Sequence, residues 1–360
     1  MSKQNYIIPI FIPHKGCPHN CIFCNQKRIT GQINELTTDE VDKQIDKYLG
    51  TIKKSNVNKE IAFFGGSFTA IPKKEQNRYL SIANKYLTNG DINAIRLSTR
   101  PDYIDDEVLK NLKDFGVSIV ELGVQSMDEE VLNISQRGHS IEDTINAMEA
   151  LKKENFTIGA QLMVGLPKDN KNKCLNTVEK VVKLKPQFVR IYPALVVKDT
   201  YMEYLYESGE YRPLDLFEAV DISKEMMIRL ESNHIEVIRV GLQPTDEMQI
   251  GRNVIAGPYH PSFRQLVETE IYKDMIDSIL YFAKMKSYSV VTVISSADNY
   301  SNVVGQRKSN IKYFYERFPN ALFNFTIGDI NSSSVRVRIN NDIHNLSKTE
   351  YYEGIKSRCN

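Results

Sequence analysis

The chain has 360 residues, with 46 Lys and Arg against 45 Asp and Glu and a formal net charge of +1. That length holds one large domain and a small one, or two ordinary ones, and the near-cancelled charge excludes a protein held to nucleic acid by its overall field. Hydrophobic residues at 41% and charged residues at 25% are the proportions of an ordinary globular chain, and no run of eighteen apolar residues offers a membrane span.

The first six residues, Met1 to Tyr6, carry no apolar stretch ending in small residues, so no signal peptide is expected. Ile7, Ile8, Ile10, Phe11 and Ile12 make a short apolar run that predicts the first strand, with Pro9 suited to an edge position. A cysteine-rich loop follows. Thr37 and Glu40 then offer a capping box for a helix whose apolar face is Val41, Ile45 and Leu49. A second buried strand at 61–64 runs into Gly65, Gly66 and Ser67, and paired glycines after a strand let backbone approach a ligand. Strands are predicted at 94–98, 118–123, 156–164 and 188–193, with helices between them. Ser140 with Asp143 marks one helix start, and a long helix at 215–230 leads to an apolar stretch at 235–240.

Strand and helix thus alternate through six units, which implies a parallel sheet with helices outside. Motifs at successive strand ends favour a curved sheet over a flat one, because the C-terminal strand ends of such folds carry the site. Arg190 and Arg239 fall inside apparently buried strands, and each calls for a carboxylate such as Glu121 or an anionic substrate. After Leu242 the character changes. Ser262 is a candidate helix cap, Tyr259 and His260 stand in a proline-bounded connector, and Val335, Val337 and Ile339 alternate as in a half-exposed strand. The expected domains are 1–242 and a small α+β domain at 243–360.

Cys17, Cys21 and Cys24 stand in the pattern CxxxCxxC directly after the first strand, while Cys174 and Cys359 are isolated. Thiolates are soft ligands, and three on one short loop suit three corners of an iron–sulfur cubane. A closed zinc site takes four ligands, usually as two pairs from separate stretches. The fourth corner is left open for a substrate or cofactor, and His14 and His19 beside the loop are read as solvated or packing residues. Clustered thiols without a secretion signal fit a reducing cytoplasm. One cluster is expected, with Cys359 a free exposed thiol.

With Phe23 just before the last cysteine, the loop resembles that of the radical S-adenosylmethionine (SAM) superfamily. The resemblance implies a [4Fe-4S] cluster held by Cys17, Cys21 and Cys24, whose open iron chelates SAM, and a partial (β/α)6 TIM-like barrel. It also implies an electron donor such as flavodoxin or ferredoxin. The segments FFGGSFTAIP, STRPDYID, VELGVQS, QRGHS, MVGLP and RIYPALV follow the loop in order to residue 196. Together they resemble the radical SAM core of the catalytic subunit of the tRNA-modifying Elongator complex and, more loosely, the oxygen-independent coproporphyrinogen oxidases. On that resemblance Gly65, Gly66 and Ser67 hold the SAM amino group, and Gln125 lies near its ribose and methionine part. Arg137 pairs with its carboxylate, a role suited to a bidentate guanidinium, and Gly165 and Leu166 lie beside the adenine. Ser98 and Gln161 stand where relatives carry acidic residues.

Tyr192, ending the sixth strand, is a candidate to touch substrate or relay hydrogen atoms, against the plainer reading of a core tyrosine. The tail departs from Elongator catalytic subunits: Gly305 stands alone where an acetyltransferase has a glycine-rich loop, and with Cys17 so near Met1 no counterpart of the relatives' basic N-terminal arm is expected. Acetyl-CoA is therefore not expected as co-substrate. The expected reaction is hydrogen abstraction from an unidentified substrate, with a base in RNA favoured over a tetrapyrrole or other metabolite. A non-catalytic zinc- or RNA-binding protein is the alternative from a different class.

Overall fold

The computed structural model describes residues 5–12, 17, 20–25, 28, 36–53, 57–243, 248–286 and 288–359. His14, His19, and Pro244 to Asp246 lie outside these residues, as does the side chain of Cys359. The chain divides into two compact units, residues 1–216 with 235–259, and residues 217–234 with 260–360.

In chain order the elements are β1 (Asn5–Ile12), α1 (Thr38–Thr51), β2 (Asn58–Gly65), α2 (Lys73–Thr88), β3 (Ala94–Thr99), α3 (Asp106–Asp114), β4 (Val117–Gln125), α4 (Glu129–Ile134) and α5 (Ile141–Lys153). They continue with β5 (Thr157–Val164), α6 (Lys171–Leu184), β6 (Phe188–Pro193), β7 (Val196–Val197), α7 (Tyr201–Glu207), α8 (Leu216–Glu231), β8 (Glu236–Val240) and β9 (Val254–Ala256). The seven main strands pair in the order β1-β2-β3-β4-β5-β6-β8, every pair parallel, as a curled half-barrel sheet. The six expected strands are all present, and β8, at the apolar stretch 235–240, adds a seventh.

Local chemistry explains the helix starts. Thr37 and Glu40 form the expected capping box at α1, and Ser140 and Asp143 form another at α5. Alternate strand residues such as Ile8, Ile10, Ile61, Ile95, Leu97, Val120, Leu122, Ile158, Leu162, Val189 and Ile191 are fully buried and make the apolar layer. The opposite set of positions carries polar side chains, Arg96, Glu121, Gln161 and Arg190 among them, and the register puts Ser98 beside Glu121 and Gln161 beside Arg190. At the sheet's edge, Gln44 of α1 donates through Nε2 to the Pro9 carbonyl at 2.8 Å.

The second unit contains a four-stranded sheet ordered β11-β10-β12-β13. Its elements are α9 (Phe263–Phe282), β10 (Val290–Ser295), α10 (Tyr300–Val304), α11 (Ser309–Arg317), β11 (Leu322–Ile327), β12 (Ser334–Ile339), β13 (Asp342–Ser347) and α12 (Lys348–Cys359). Val335, Val337 and Ile339 are buried while Arg338 between them is exposed, as the alternation predicts. Ser262 precedes α9 but makes no side-chain capping bond. Among the described residues, no helix is long and apolar enough to cross a membrane.

Candidate cluster and cofactor site

The cysteine loop leaves the C-terminal end of β1, and backbone bonds fix its middle. The Ile22 N–H reaches the Ser135 carbonyl after α4 at 3.2 Å, and the Ile22 carbonyl receives the Met202 N–H of α7 at 2.9 Å. A turn from Cys24 N–H to the Cys21 carbonyl at 3.0 Å brings the last two cysteines round. Phe23 packs on the apolar cluster of Val131, Leu166, Ala194, Val196, Met202 and Tyr211. The aromatic of the motif thus touches the same cluster as Leu166. Arg28 pairs with Asp199, and Asn25 Nδ2 donates to the Lys198 carbonyl at 3.3 Å, tying the loop's far side to the segment before α7.

Among the described residues Cys17, Cys21 and Cys24 form no disulfide, with Cys21 buried and Cys17 and Cys24 half-buried. Arg137 Nη1 stands 3.4 Å from Cys21 Sγ, and Arg137 Nη2 donates to the Gly123 carbonyl at 2.7 Å. Burial pushes the Cys17 thiol up from its ordinary value, opposed by Arg137, the backbone N–H of Ser67 and Arg100. Among the described residues no three His, Cys, Asp or Glu side chains stand close enough together to hold a single metal ion.

The expected SAM contacts gather at the same strand ends. Gly65 has φ +123°, and a Cβ there would lie 2.2 Å from the Ile12 carbonyl oxygen, so this position takes glycine because β1 and β2 close on each other. Gly66 is half-buried. Ser67 is fully buried, with Oγ 2.9 Å from Thr99 Oγ1 and 3.2 Å from the donating Arg100 N–H. Gln125 ends β4 at φ +65°, uncommon for a non-glycine residue, where the β4–β5 register shifts. Its side chain folds back along Gly123: a Cβ on that glycine would meet Arg137 Nη2 at 2.6 Å and Gln125 Nε2 at 3.0 Å. Gly165 follows β5 at φ +81°, its N–H held by Asp169 at 3.0 Å and its carbonyl by the Tyr211 hydroxyl at 2.6 Å. Cys174 donates its thiol to Asp169 Oδ2 at 3.0 Å, a structural role for one of the two isolated cysteines.

Ser98, Gln161 and Tyr192 belong to a different arrangement, a buried ionic network across β2 to β6. Glu121, with no exposed surface, receives Arg96 Nη1 at 2.7 Å, Arg190 Nη2 at 2.9 Å and Gln161 Nε2 at 3.0 Å. Arg96 also holds Glu60 at 2.6 and 2.9 Å, and Gln161 reaches Ser98 Oγ at 3.3 Å. Arg190 Nη1 lies 3.5 Å from the Tyr192 hydroxyl. Of the two readings of Arg190, the carboxylate partner is the one present. Tyr259 packs with Leu195, Val197, Met248 and Val254, and His260 Nδ1 accepts the Ser262 N–H at 3.1 Å.

Two residues escape sequence reasoning although they stand inside quoted segments. Arg100, 2% exposed, pairs with Asp102 at 2.9 and 2.8 Å, and His139, 5% exposed, lies two residues past Arg137. The available signal was a cation placed immediately after a strand end and a histidine beside an expected ligand residue.

The donor set fits the group that the motif implies. Three soft thiols on one loop, beside two permanently charged guanidiniums, suit an anionic iron–sulfur centre. Arg137 Nε, Arg100 Nη1 and both His139 ring nitrogens are buried without a hydrogen-bond partner among the described residues, an arrangement that calls for an acceptor.

A parallel half-barrel with a three-cysteine loop at the mouth of its first strand defines a class, and comparison identifies it. The chain matches the Radical SAM superfamily over residues 11–181 and the Radical_SAM C-terminal domain over residues 186–273, and it belongs to the radical SAM superfamily. Members of that superfamily typically bind a [4Fe-4S] cluster and SAM and need a reductant. An uncharacterised protein of Methanocaldococcus jannaschii is 31% identical over 224 residues, 59% of this chain and 68% of that protein. The tRNA uridine(34) acetyltransferase of the same organism is 26% identical over 255 residues, and the match spans only 47% of its length. Among solved structures, Methanocaldococcus infernus Elp3 superimposes with a TM-score of 0.57 at 21% identity, covering 78% of this chain and 64% of that one.

Proposed function

We propose that the protein is a SAM-cleaving radical enzyme in which Cys17, Cys21 and Cys24 hold a [4Fe-4S] cluster. The observation that carries this reading is the guanidinium of Arg137 standing 3.4 Å from Cys21 Sγ on the three-cysteine loop that follows β1. With one electron from a donor such as flavodoxin or ferredoxin, a cluster held there would supply the reductive cleavage of SAM and hydrogen-atom abstraction from substrate. The protein's part is placement. The backbone of Gly65, Gly66 and Ser67 offers polar groups to the SAM amino group, Arg137 offers charge to its carboxylate, and Gln125 lines its ribose side. Gly165 and Leu166, the latter in the apolar cluster on which Phe23 packs, give a wall for the adenine. Ser98 and Gln161 lie further in, and Tyr192 faces substrate from the end of β6.

A base in RNA is the favoured substrate, supported by the likeness to an enzyme named for tRNA uridine 34. Acetyl-CoA is not assigned a part. The test is anaerobic reconstitution with iron and sulfide, then dithionite and SAM, with 5′-deoxyadenosine measured for the wild type and Cys21→Ala. Production lost in the variant is expected. A colourless protein that takes up zinc and no iron would overturn the reading in favour of a zinc-binding protein. Tightening of tRNA binding as salt is lowered tests the substrate class.

A further inference from the structure

Around Cys17 and Cys21 the described residues bury more positive charge and more N–H groups than their own acceptors use. Arg100 follows β3 and spends Nε and Nη2 on Asp102, leaving Nη1 buried with no partner among the described residues. Arg137 spends Nη1 and Nη2 on Cys21 and the Gly123 carbonyl, leaving Nε in the same state. His139 is buried, and neither ring nitrogen makes a well-formed hydrogen bond among the described residues, although the Val124 carbonyl lies near. Burial and the fields of Arg137 and Arg100 hold its imidazole uncharged, with its pKa lowered to about 3, so one ring nitrogen is a neutral donor. Asp102 is engaged by Arg100, and Asp143, whose charge acts on His139, is engaged by Ser140 at the α5 capping box. Arg100 and Arg137 both act electrostatically on Cys17, and the Arg100 N–H is bonded to Ser67, whose own N–H lies beside the Cys17 sulfur.

Buried donors without acceptors are costly, and natural chains leave them where a ligand completes them. Sulfur atoms of an anionic cluster are acceptors of the right kind, and hydrogen bonds to them and nearby positive charge raise a cluster's reduction potential. We infer that Arg100 and His139, together with Arg137, form a donor cradle for the cysteine-held cluster, and that Arg100 and His139 are positioning residues that make it easier to reduce. This inference rests on the cluster reading above.

The test uses the full chain, reconstituted anaerobically and poised without SAM. Iron per chain and the electron paramagnetic resonance signal of the reduced cluster are read for wild type, Arg100→Met, Arg100→Lys, His139→Phe and His139→Gln. At a fixed poise the Met and Phe variants are expected to show at least a tenfold lower ratio of reduced to oxidised cluster, equivalent to 59 mV for one electron. Arg100→Lys, which keeps the charge, recovers part of it. Far-UV circular dichroism checks folding; if the Met or Phe variant does not fold, Lys and Gln carry the comparison, with a smaller loss expected in the same direction. Variants that load iron and titrate as the wild type does overturn the inference and leave the cluster reading intact. A change that appears only once SAM is added also overturns it, by assigning the donors to the SAM carboxylate. A wild type that loads no iron overturns the cluster reading itself.

Discussion

Replacing Glu121 by Gln removes the one charge on which the buried network turns. The substitution keeps shape and deletes the carboxylate that Arg96 and Arg190 share, at side-chain exposures of 8% and 9%. Arg96 retains Glu60 at 2.6 Å, but among the described residues Arg190 has Glu121 as its carboxylate partner. Breaking a buried pair by removing one partner costs about 3–5 kcal/mol, because the other charge stays buried. In a unit of this size that corresponds to a fall in Tm of roughly 6–20 °C, at about 2–4 °C per kcal/mol. Thermal and urea unfolding followed by circular dichroism measure it. The double variant Glu121→Leu with Arg190→Met removes both charges and is expected to recover most of the loss. A Glu121→Gln variant melting within about 2 °C of wild type would refute the reasoning, since the pair would then be solvated in practice.

Gly123→Ala is expected to leave the fold intact while driving Arg137 off its Gly123 and Cys21 contacts, because the new methyl would stand 2.6 Å from Nη2. SAM affinity measured by equilibrium dialysis should weaken about tenfold, roughly 1.4 kcal/mol. His139 ties stability to pH. The unfolded chain binds a proton near pH 6.5, while the folded chain keeps this imidazole neutral down to about pH 3. The folded state is therefore penalised as pH falls between those values. Between pH 7 and 5 this amounts to about 2 kcal/mol, a slope that urea titrations should find reduced in His139→Gln. Cys174 is buried and its thiol pushed up by burial and by Asp169. Iodoacetamide should therefore spare it in the folded protein, and Cys174→Ala should cost about 1 kcal/mol by removing a donor from Asp169.

The strands and capped helices were legible because their signals are local: apolar runs, and Ser or Thr followed three residues later by an acid. The loop of Cys17, Cys21 and Cys24 was legible because three cysteines sit close together in sequence after an apolar run. Partners set by strand register were harder. Arg190 was seen to need a carboxylate, yet that Glu121 also takes Arg96 and Gln161 follows only from which residues stand abreast in β3 to β6. The same register joins Ser98 and Gln161, which stand where relatives carry acidic residues, to Glu121. Arg100 and His139 went unread because their meaning lies in what they lack, and an unmatched donor exists only once its neighbours have been placed. The positive φ of Gln125 had no signal either, since glutamine carries no local preference for it.

The bond from Gln44 to Pro9 bears on how the open edge of the half-barrel is guarded. In a strand, a residue's N–H and C=O point to the same side, so at position 9 the outward donor is missing and the outward acceptor is capped by Gln44. The rim strand β1 is thereby deprived, at its centre, of both groups that another extended chain would grip. Gln44→Ala would restore one of the two handles.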